Sequence, residues 1–154
     1  MGIKSFQGKQ LGEVIVSENI TVGDFMTENM YKFYEGQNVI EVMETLLRHQ
    51  ISGGPVVNEH NELIGIISEG DCIKQISESR YYNQPMENMT VENYMIKEVE
   101  TVSPDMHLFD VANKFLSLKK RRFPVCEHGK LIGLISQKDV LKAALELHGY
   151  NWRS

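Results

Sequence analysis

Two short segments of the sequence place a hydroxyl and a carboxylate three residues apart. They are Ser68-Glu69-Gly70-Asp71 and Ser136-Gln137-Lys138-Asp139. Each follows an apolar run and opens a predicted helix, so each offers free backbone N–H groups and the positive end of a helix dipole to a phosphate. A carboxylate one turn into the helix can accept hydrogen bonds from both hydroxyls of a ribose. These residues together predict a site for a nucleoside phosphate.

The same segments also have a purely structural interpretation. A serine followed three residues later by an acidic residue is an ordinary helix N-cap. Recurrence at the same place in two repeats favours ligand binding, although duplication copies caps as faithfully as sites. Both interpretations stay open at this point.

An internal repeat surrounds these segments. Residues 21–57 align with residues 90–126 at an offset of 69, with seven identities. After the loss of one residue in a polar turn, residues 63–71 align with residues 131–139, with six identities. A hairpin loop tolerates such a slip. The chain therefore contains two copies of one unit.

Hydrophobic periodicity predicts the elements of each copy. Apolar residues at helical spacing begin at Val39 and again at Leu108, and each stretch predicts one amphipathic helix. A second helix follows later in each copy, and Gly149 is placed to end the last one. Short apolar runs predict a first strand and then a β-hairpin in each copy. These strands cover residues 32–34, 53–57 and 63–67 in the first copy, and residues 99–102, 123–126 and 131–135 in the second.

The order of elements is therefore β-α-β-β-α, preceded by a short helical turn of the pattern Thr-Val-x-x-aromatic-Met. We predict an α/β (α+β) fold. A polar segment containing Pro85 is the predicted linker, and a strand is possible at residues 13–16. The predicted organisation is an N-terminal extension at 1–19, repeats at 20–77 and 89–148, a linker at 78–88 and a tail at 149–154.

Composition argues against several classes of function. A chain of 154 residues with 42% hydrophobic residues can bury a core, and its formal charge of −5 disfavours nucleic acid or an anionic membrane as a partner. The first twenty residues lack the order of a signal peptide and no apolar run could span a bilayer, so we expect a cytoplasmic protein. Cys72 and Cys126 lie far apart without metal or redox spacing, and we expect both to be buried apolar residues.

Segments 68–71 and 136–139 belong to a longer signature. Residues 65–71 and 133–139 both read Gly-hydrophobic-hydrophobic-Ser-x-x-Asp, and each follows a Pro-Val strand. The chain resembles the cystathionine-β-synthase (CBS) domain family over residues 20–147, nearly its whole length. The resemblance implies two βαββα repeats packed through their sheets about a pseudo-twofold axis, with two clefts between them. In relatives such clefts bind AMP, ADP, ATP or other adenosyl ligands.

The resemblance also implies partners. Family pairs commonly form homodimers, and a sensor module without an attached effector must act on an effector protein in trans. We expect a non-enzymatic module that requires no cofactor, takes an adenine nucleotide as its regulatory ligand, and has neither a nucleic-acid nor a membrane partner.

The resemblance assigns roles to individual residues. Asp139 would hold the ribose of the second site and Ser136 would help with ribose or phosphate, and Asp71 and Ser68 would do the same in the first site. The predicted base pockets are lined by Thr101, Val102, Phe123 and Pro124 in the second repeat, and by Gly54 and Pro55 in the first. The first repeat departs from the family pattern, because Gly53-Gly54 stands where Arg122-Phe123 does in the second. Its ligand preference is therefore less defined.

The run Lys119-Lys120-Arg121-Arg122 has three interpretations. It is a solvated turn, or Arg121 or Arg122 neutralises phosphates that enter the cleft. A nucleic-acid patch is the third and weakest option, because the run lacks interleaved aromatic residues and lies in an acidic protein.

Two other classes of protein compete with a ligand sensor. An enzyme finds little support, because Ser68 lacks the glycine two residues earlier that a nucleophile elbow needs and no metal or nucleotide-hydrolase motif occurs. The five histidines are scattered, and we expect them to be solvated. A structural dimerisation or adaptor module, in which Ser-x-x-Asp only caps helices, stays open.

Overall fold

The computed structural model describes residues 20–82 and 89–149, and for residues 79–82 it describes the backbone alone. The strand predicted at residues 13–16 lies outside the described residues. The helices are α1 (Val22–Phe25), α2 (Val39–His49), α3 (Glu69–Tyr82), α4 (Leu108–Leu118) and α5 (Gln137–Leu147), with a 3-10 turn at Val91–Asn93. The strands are β1 (Phe33–Tyr34), β2 (Gly53–Val57), β3 (Leu63–Ser68), β4 (Arg122–Glu127) and β5 (Lys130–Ser136).

These elements belong to two compact units that are not continuous in sequence. One comprises residues 29–100 and 128–131, and we refer to it as the Asp71 unit. The other comprises residues 20–28, 101–127 and 132–149, and we refer to it as the Asp139 unit. Each unit therefore combines segments from both copies of the repeat.

The Asp71 unit contains a three-stranded sheet in the order β1-β2-β3. Phe33 of β1 pairs in parallel with Val56 of β2, and Gly53 of β2 pairs antiparallel with Ser68 of β3. Helices α2 and α3 contribute to its core. The buried core residues are Phe33, Val39, Val42, Leu46, Val56, Ile67, Cys72 and Val91.

The Asp139 unit is built on β4 and residues 132–136 of β5, with helices α1, α4 and α5. Residues 20–22 pair with residues 106–108, through hydrogen bonds that Val22 N donates to Met106 O and Leu108 N donates to Ile20 O. The buried core residues are Val22, Val102, Leu108, Val111, Phe115, Phe123, Val125, Ile135 and Ala143.

The mixed helix and strand fold, both hairpins and the matching helices α2 and α4 confirm the predicted α+β class. Two local predictions were wrong. The strand predicted at residues 99–102 is a single parallel bridge between Val102 and Val125, because a turn begins at Ser103, whose carbonyl accepts from Met106 N at 3.2 Å. Helix α3 continues to Tyr82, into the predicted linker. The residues after Ser77 are polar but none breaks a helix before Pro85.

The departure of the first repeat at Gly54 is an exchange of aromatic residues within the core. Gly54 and Phe33 occupy the repeat positions of Phe123 and Val102. A Cβ atom on Gly54 would lie 3.1 Å from the ring of Phe33, so that ring fills the space that Phe123 fills in the other unit. The two cores thus carry the phenylalanine of this contact on opposite partners, Phe33 in one unit and Phe123 in the other.

Candidate ligand-binding site

Ser136 and Asp139 form a reciprocal capping box at the start of α5. Ser136 N and Ser136 Oγ both donate to Asp139 Oδ2, at 2.8 and 3.0 Å, and Asp139 N donates to Ser136 Oγ at 3.2 Å. Asp139 is 8% exposed. Within the described residues its Oδ1 atom has no hydrogen bond. The predicted cap is therefore confirmed, and one carboxylate oxygen is left available for a ligand.

Ser68 and Asp71 repeat this geometry at the start of α3. Ser68 N and Ser68 Oγ donate to Asp71 Oδ2 at 2.9 and 3.0 Å, and Asp71 N donates to Ser68 Oγ at 3.3 Å. Asp71 is half-buried rather than buried. The two carboxylates therefore have the same local partners and differ in their exposure to solvent.

The helix amides beside each box are mostly occupied. Gln137 N donates to Arg121 O at 3.1 Å, and at the equivalent place Glu69 N donates to Ser52 O at 2.9 Å. Since Asp139 N and Asp71 N donate to serine, the Lys138 and Gly70 amides are the ones left without an acceptor among the described residues. Each helix start therefore offers one amide to a phosphate rather than the four of an uncapped helix.

Asp139 lines an open cavity of about 320 Å³ in its own unit. Three of the lining residues, Asp139, Lys142 and Glu146, lie on one face of α5. The others are Asp24, Phe25, Met26 and Thr27, from the end of α1 and the residues after it. Sequence reasoning did not assign these residues to a site. Their signals were the repeated Thr-Val-x-x-aromatic-Met pattern and the i, i+3, i+7 spacing on α5.

The signature glycines allow this segment to approach the sheet. Thr27 N donates to Leu134 O at 2.8 Å, and a Cβ atom on Gly133 would lie 2.8 Å from Met26 Sδ. In the Asp71 unit, a Cβ atom on Gly65 would lie 2.5 Å from Met95 Sδ and 2.8 Å from Ile96 O. The methionine of the short helical turn thus packs over the glycine of the Gly-x-x-Ser-x-x-Asp signature in both units.

The predicted base-pocket residues contribute mainly backbone. Val102 N donates to Pro124 O, and Cys126 N donates to Val102 O, each at 3.0 Å. The side chains of Val102 and Phe123 are 3% and 1% exposed and belong to the core, where Phe123 stacks on Phe115 at 4.7 Å between ring centroids. Thr101 beside them is half-buried.

Pro124 is buried, as are Gly54 and Pro55 in the Asp71 unit. The structure therefore brings Thr101 and Val102 next to Phe123 and Pro124, as predicted, but turns the Val102 and Phe123 side chains into the core.

Arg121 and Arg122 are exposed, at the end of the turn that leads into β4. Because Arg121 O accepts from the first amide of α5, this turn lies directly beside the Ser136–Asp139 box. The structure thus places the basic run next to the candidate site of the Asp139 unit.

His107 differs from the expectation that all histidines are solvated. It is the N-cap of α4, where its Nδ1 atom accepts from Phe109 N at 3.1 Å. Its Nε2 atom is buried and has no hydrogen-bond partner among the described residues. The prediction was wrong here because histidine is not among the usual capping residues, although a neutral imidazole nitrogen can accept the same bond.

Neither cysteine lies beside a metal cluster. In the part of the chain that the structure describes, no group of three or more His, Cys, Asp or Glu side chains is placed to hold a metal ion. Burial raises the pKa of the Cys72 thiol to about 11, with the charges of Asp71 and Glu69 adding to the effect. Burial also raises the pKa of Cys126. The helices of residues 20–82 and 89–149 include none long and apolar enough to cross a membrane.

Comparison with known proteins agrees with this architecture. The family model for the CBS domain matches residues 22–78 and 91–146. The chain is 32% identical over 134 residues to the protein MJ1225 of Methanocaldococcus jannaschii, covering 87% of this chain and 45% of that protein. It is 28% identical to the chloroplastic CBS domain-containing protein CBSX2 of Arabidopsis thaliana, covering 82% of this chain and 64% of that protein. The chain thus spans less than half of MJ1225 and about two thirds of CBSX2.

A solved structure of a CBS domain protein has the same fold. The crystal structure of CBSX2 in complex with AMP matches with a TM-score of 0.73 and 30% identity, over 84% of this chain and 98% of that chain. Two successive family matches and this fold establish the class, a tandem pair of CBS domains. The chain belongs to the CBS domain family.

Proposed function

We propose that this chain is a non-catalytic regulatory module that binds an adenine nucleotide beside Asp139. The observation that carries the proposal is the buried Asp139 carboxylate, which serves the helix cap with Oδ2 alone and lines an open cavity. Its free oxygen is suited to accept from a ribose hydroxyl. The AMP complex of CBSX2, a structural relative at 30% identity, supports an adenosine-type ligand here.

The nearby cations support a phosphorylated ligand. Arg121, Arg122 and Lys138 surround the start of α5, and guanidinium groups bind phosphate through charge-assisted hydrogen bonds. AMP, ADP and ATP are therefore the first ligands to test. In this proposal Ser136 contacts the ribose or phosphate, and the backbone around Thr101, Val102, Phe123 and Pro124 borders the base. Ser68, Asp71, Gly54 and Pro55 take the corresponding places in the Asp71 unit.

A homodimer in the cytoplasm that signals to an effector protein in trans completes the proposal. The homodimer is supported by two apolar positions that are exposed to the same extent in both units. Leu47 and Leu116 are 78% and 77% exposed, and Ile73 and Leu141 are 65% and 64% exposed. In the Asp71 unit, Leu47 and Ile73 line an apolar groove of about 360 Å³ between α2 and α3. Apolar helix faces of this kind are typical of association surfaces.

A thermal-shift screen tests the proposed function. AMP, ADP and ATP should raise the melting temperature in proportion to the logarithm of concentration above the dissociation constant, and GMP is the matched control. No shift with any adenosine compound would favour the alternative function, a ligand-free adaptor, since the Ser-x-x-Asp caps account for the same residues. Turnover of a bound nucleotide would instead indicate an enzyme.

A further inference from the structure

The two candidate sites are equivalent in backbone geometry, which allows their charges to be compared position by position. The first amide of α3 donates to Ser52 O, and the first amide of α5 donates to Arg121 O. Both helices then continue through the same Ser-Asp box. Arg121 therefore corresponds to Ser52, and Lys138 corresponds to Gly70.

The charges at these corresponding positions have opposite sign. Around Asp71 the neighbours are Ser52, Gly53, Glu69 and Gly70, so the net charge including Asp71 is −2. Around Asp139 the neighbours are Arg121, Arg122, Gln137 and Lys138, so the net charge including Asp139 is +2. The charged neighbours are all exposed, and their side chains can reach a ligand at the helix start.

Residues farther from the helix start reduce this difference without reversing it. Lys142 and Glu146 line the cavity beside Asp139, and their repeat counterparts Lys74 and Glu78 carry the same charges. Asp24 has the neutral counterpart Asn93, which adds one negative charge on the Asp139 side. Lys32, the counterpart of Thr101, adds one positive charge on the Asp71 side. At these positions the Asp139 site therefore stays more positive than the Asp71 site by two charges.

The difference in charge between the two sites affects the binding of a phosphate group but not of the uncharged nucleoside. A phosphate monoester carries a charge of about −1.5 to −2 at neutral pH, whereas adenine and ribose are uncharged. Like charges within several ångströms disfavour binding, and opposite charges favour it.

Resting on the proposed function, we propose that the two sites bind different adenosyl ligands. The Asp139 site takes a 5′-phosphorylated adenosine. The Asp71 site takes an adenosyl ligand without a phosphate on its 5′ carbon, and it discriminates against AMP by roughly tenfold to a hundredfold.

Sequential calorimetry on the full chain tests this assignment with AMP and adenosine as probes. AMP should bind at one site per chain, and this binding should be weakened by Asp139→Asn and unchanged by Asp71→Asn. Adenosine added to AMP-saturated protein should then bind at one further site, and this binding should be weakened by Asp71→Asn. Two AMP sites of equal affinity, or no adenosine binding after AMP saturation, would overturn the inference while leaving the proposed function in place. No binding of either compound would overturn the proposed function itself.

A charge-transfer variant tests the physical cause. Ser52→Arg, Glu69→Gln and Gly70→Lys together change the net charge at the Asp71 helix start from −2 to +1, the same sign as the +2 of the other site. Gly70 tolerates a side chain, because its Cβ atom would lie 3.7 Å from the nearest atom, whereas Gly53 stays unchanged because its Cβ atom would lie 2.6 Å from Ile67 O. The triple variant should bind a second AMP per chain. An unchanged AMP stoichiometry, with the melting temperature preserved, would show that charge does not set the preference.

Discussion

Asp139 and Asp71 each use one carboxylate oxygen for a helix cap and leave the other for the proposed ligand. In each residue Oδ2 accepts from the serine that starts the helix, and this leaves Oδ1 for another partner. The spacing Ser-x-x-Asp predicted the cap correctly, because capping depends only on local geometry. The ribose contact is still a prediction. The burial of Asp139 and the cavity beside it depend on residues 24–27, which are more than a hundred positions away in sequence.

The signature glycine should be required for stability in both units. Gly65→Ala places a Cβ atom against the backbone oxygen of Ile96, so we expect a loss of about 1–3 kcal/mol of unfolding free energy, as for other overpacked sites. Urea denaturation monitored by circular dichroism measures this change in unfolding free energy. Gly70→Ala is the control and should be neutral or slightly stabilising, since that helical position is open. Equal effects of the two substitutions would contradict the packing explanation.

Cys72 should be unreactive at neutral pH. Burial raises the pKa of its thiol from 9.0 to about 11, so the folded chain favours the neutral form. Cys72 thus stabilises the fold below pH 9, and this stabilisation is lost as the pH rises through about 11. In a Cys126→Ala variant, maleimide alkylation at pH 8 should be much slower in the native state than in urea. Native alkylation at the unfolded rate would show that the thiol is accessible.

At the scale of elements, periodicity predicted the helices and hairpins because each pattern reports which face of an element is buried. Periodicity did not predict that the core phenylalanine comes from β1 in one unit, as Phe33, and from β4 in the other, as Phe123. That difference follows from the parallel pairing of β1 with β2, a contact between segments twenty residues apart. The sequence indicates a departure in the ligand pocket at Gly54, whereas the structure places the Phe33 ring against Gly54 in the core.

The caps of α2 and α4 give a matched pair at equivalent positions. Asn38 caps α2 by accepting from Ile40 N at 2.7 Å, as His107 caps α4 by accepting from Phe109 N. His107→Ala should lower the unfolding free energy by about 1 kcal/mol. His107→Asn should keep most of the stability of the wild-type chain, because asparagine also caps helices. Chemical denaturation at pH 8 compares the three proteins. If His107→Asn is as destabilised as His107→Ala, then His107 acts through packing rather than through its cap.

At the scale of the whole molecule, the repeat could be found from sequence but the grouping of segments into units could not. Residues 20–28 belong to a unit with residues 101–127, because Val22 N donates to Met106 O and Leu108 N donates to Ile20 O. Backbone pairing of this kind is independent of side-chain type, so periodicity carries no signal for it.

The proposed dimer is tested by the exposed apolar positions. Light scattering should give twice the chain mass at micromolar concentration, and Leu47→Glu with Leu116→Glu should shift the protein to the single-chain mass, because a charge at an apolar contact is not compensated. Ile96→Glu, at a site 55% exposed outside the helices, is the control and should stay dimeric. A single-chain mass for the wild-type protein would show that the chain does not form the proposed dimer.

The central claim is that Asp139 binds an adenine nucleotide. Calorimetric titration of the wild-type chain and Asp139→Asn with AMP tests it most directly, because asparagine retains the size and much of the capping ability of aspartate. We expect a loss of about 1.5–3 kcal/mol of binding free energy, the range for a hydrogen bond to a charged group, which is roughly a tenfold to a hundredfold weaker affinity. Unchanged affinity in Asp139→Asn, with the melting temperature preserved, would contradict the account and show that the carboxylate is only a helix cap.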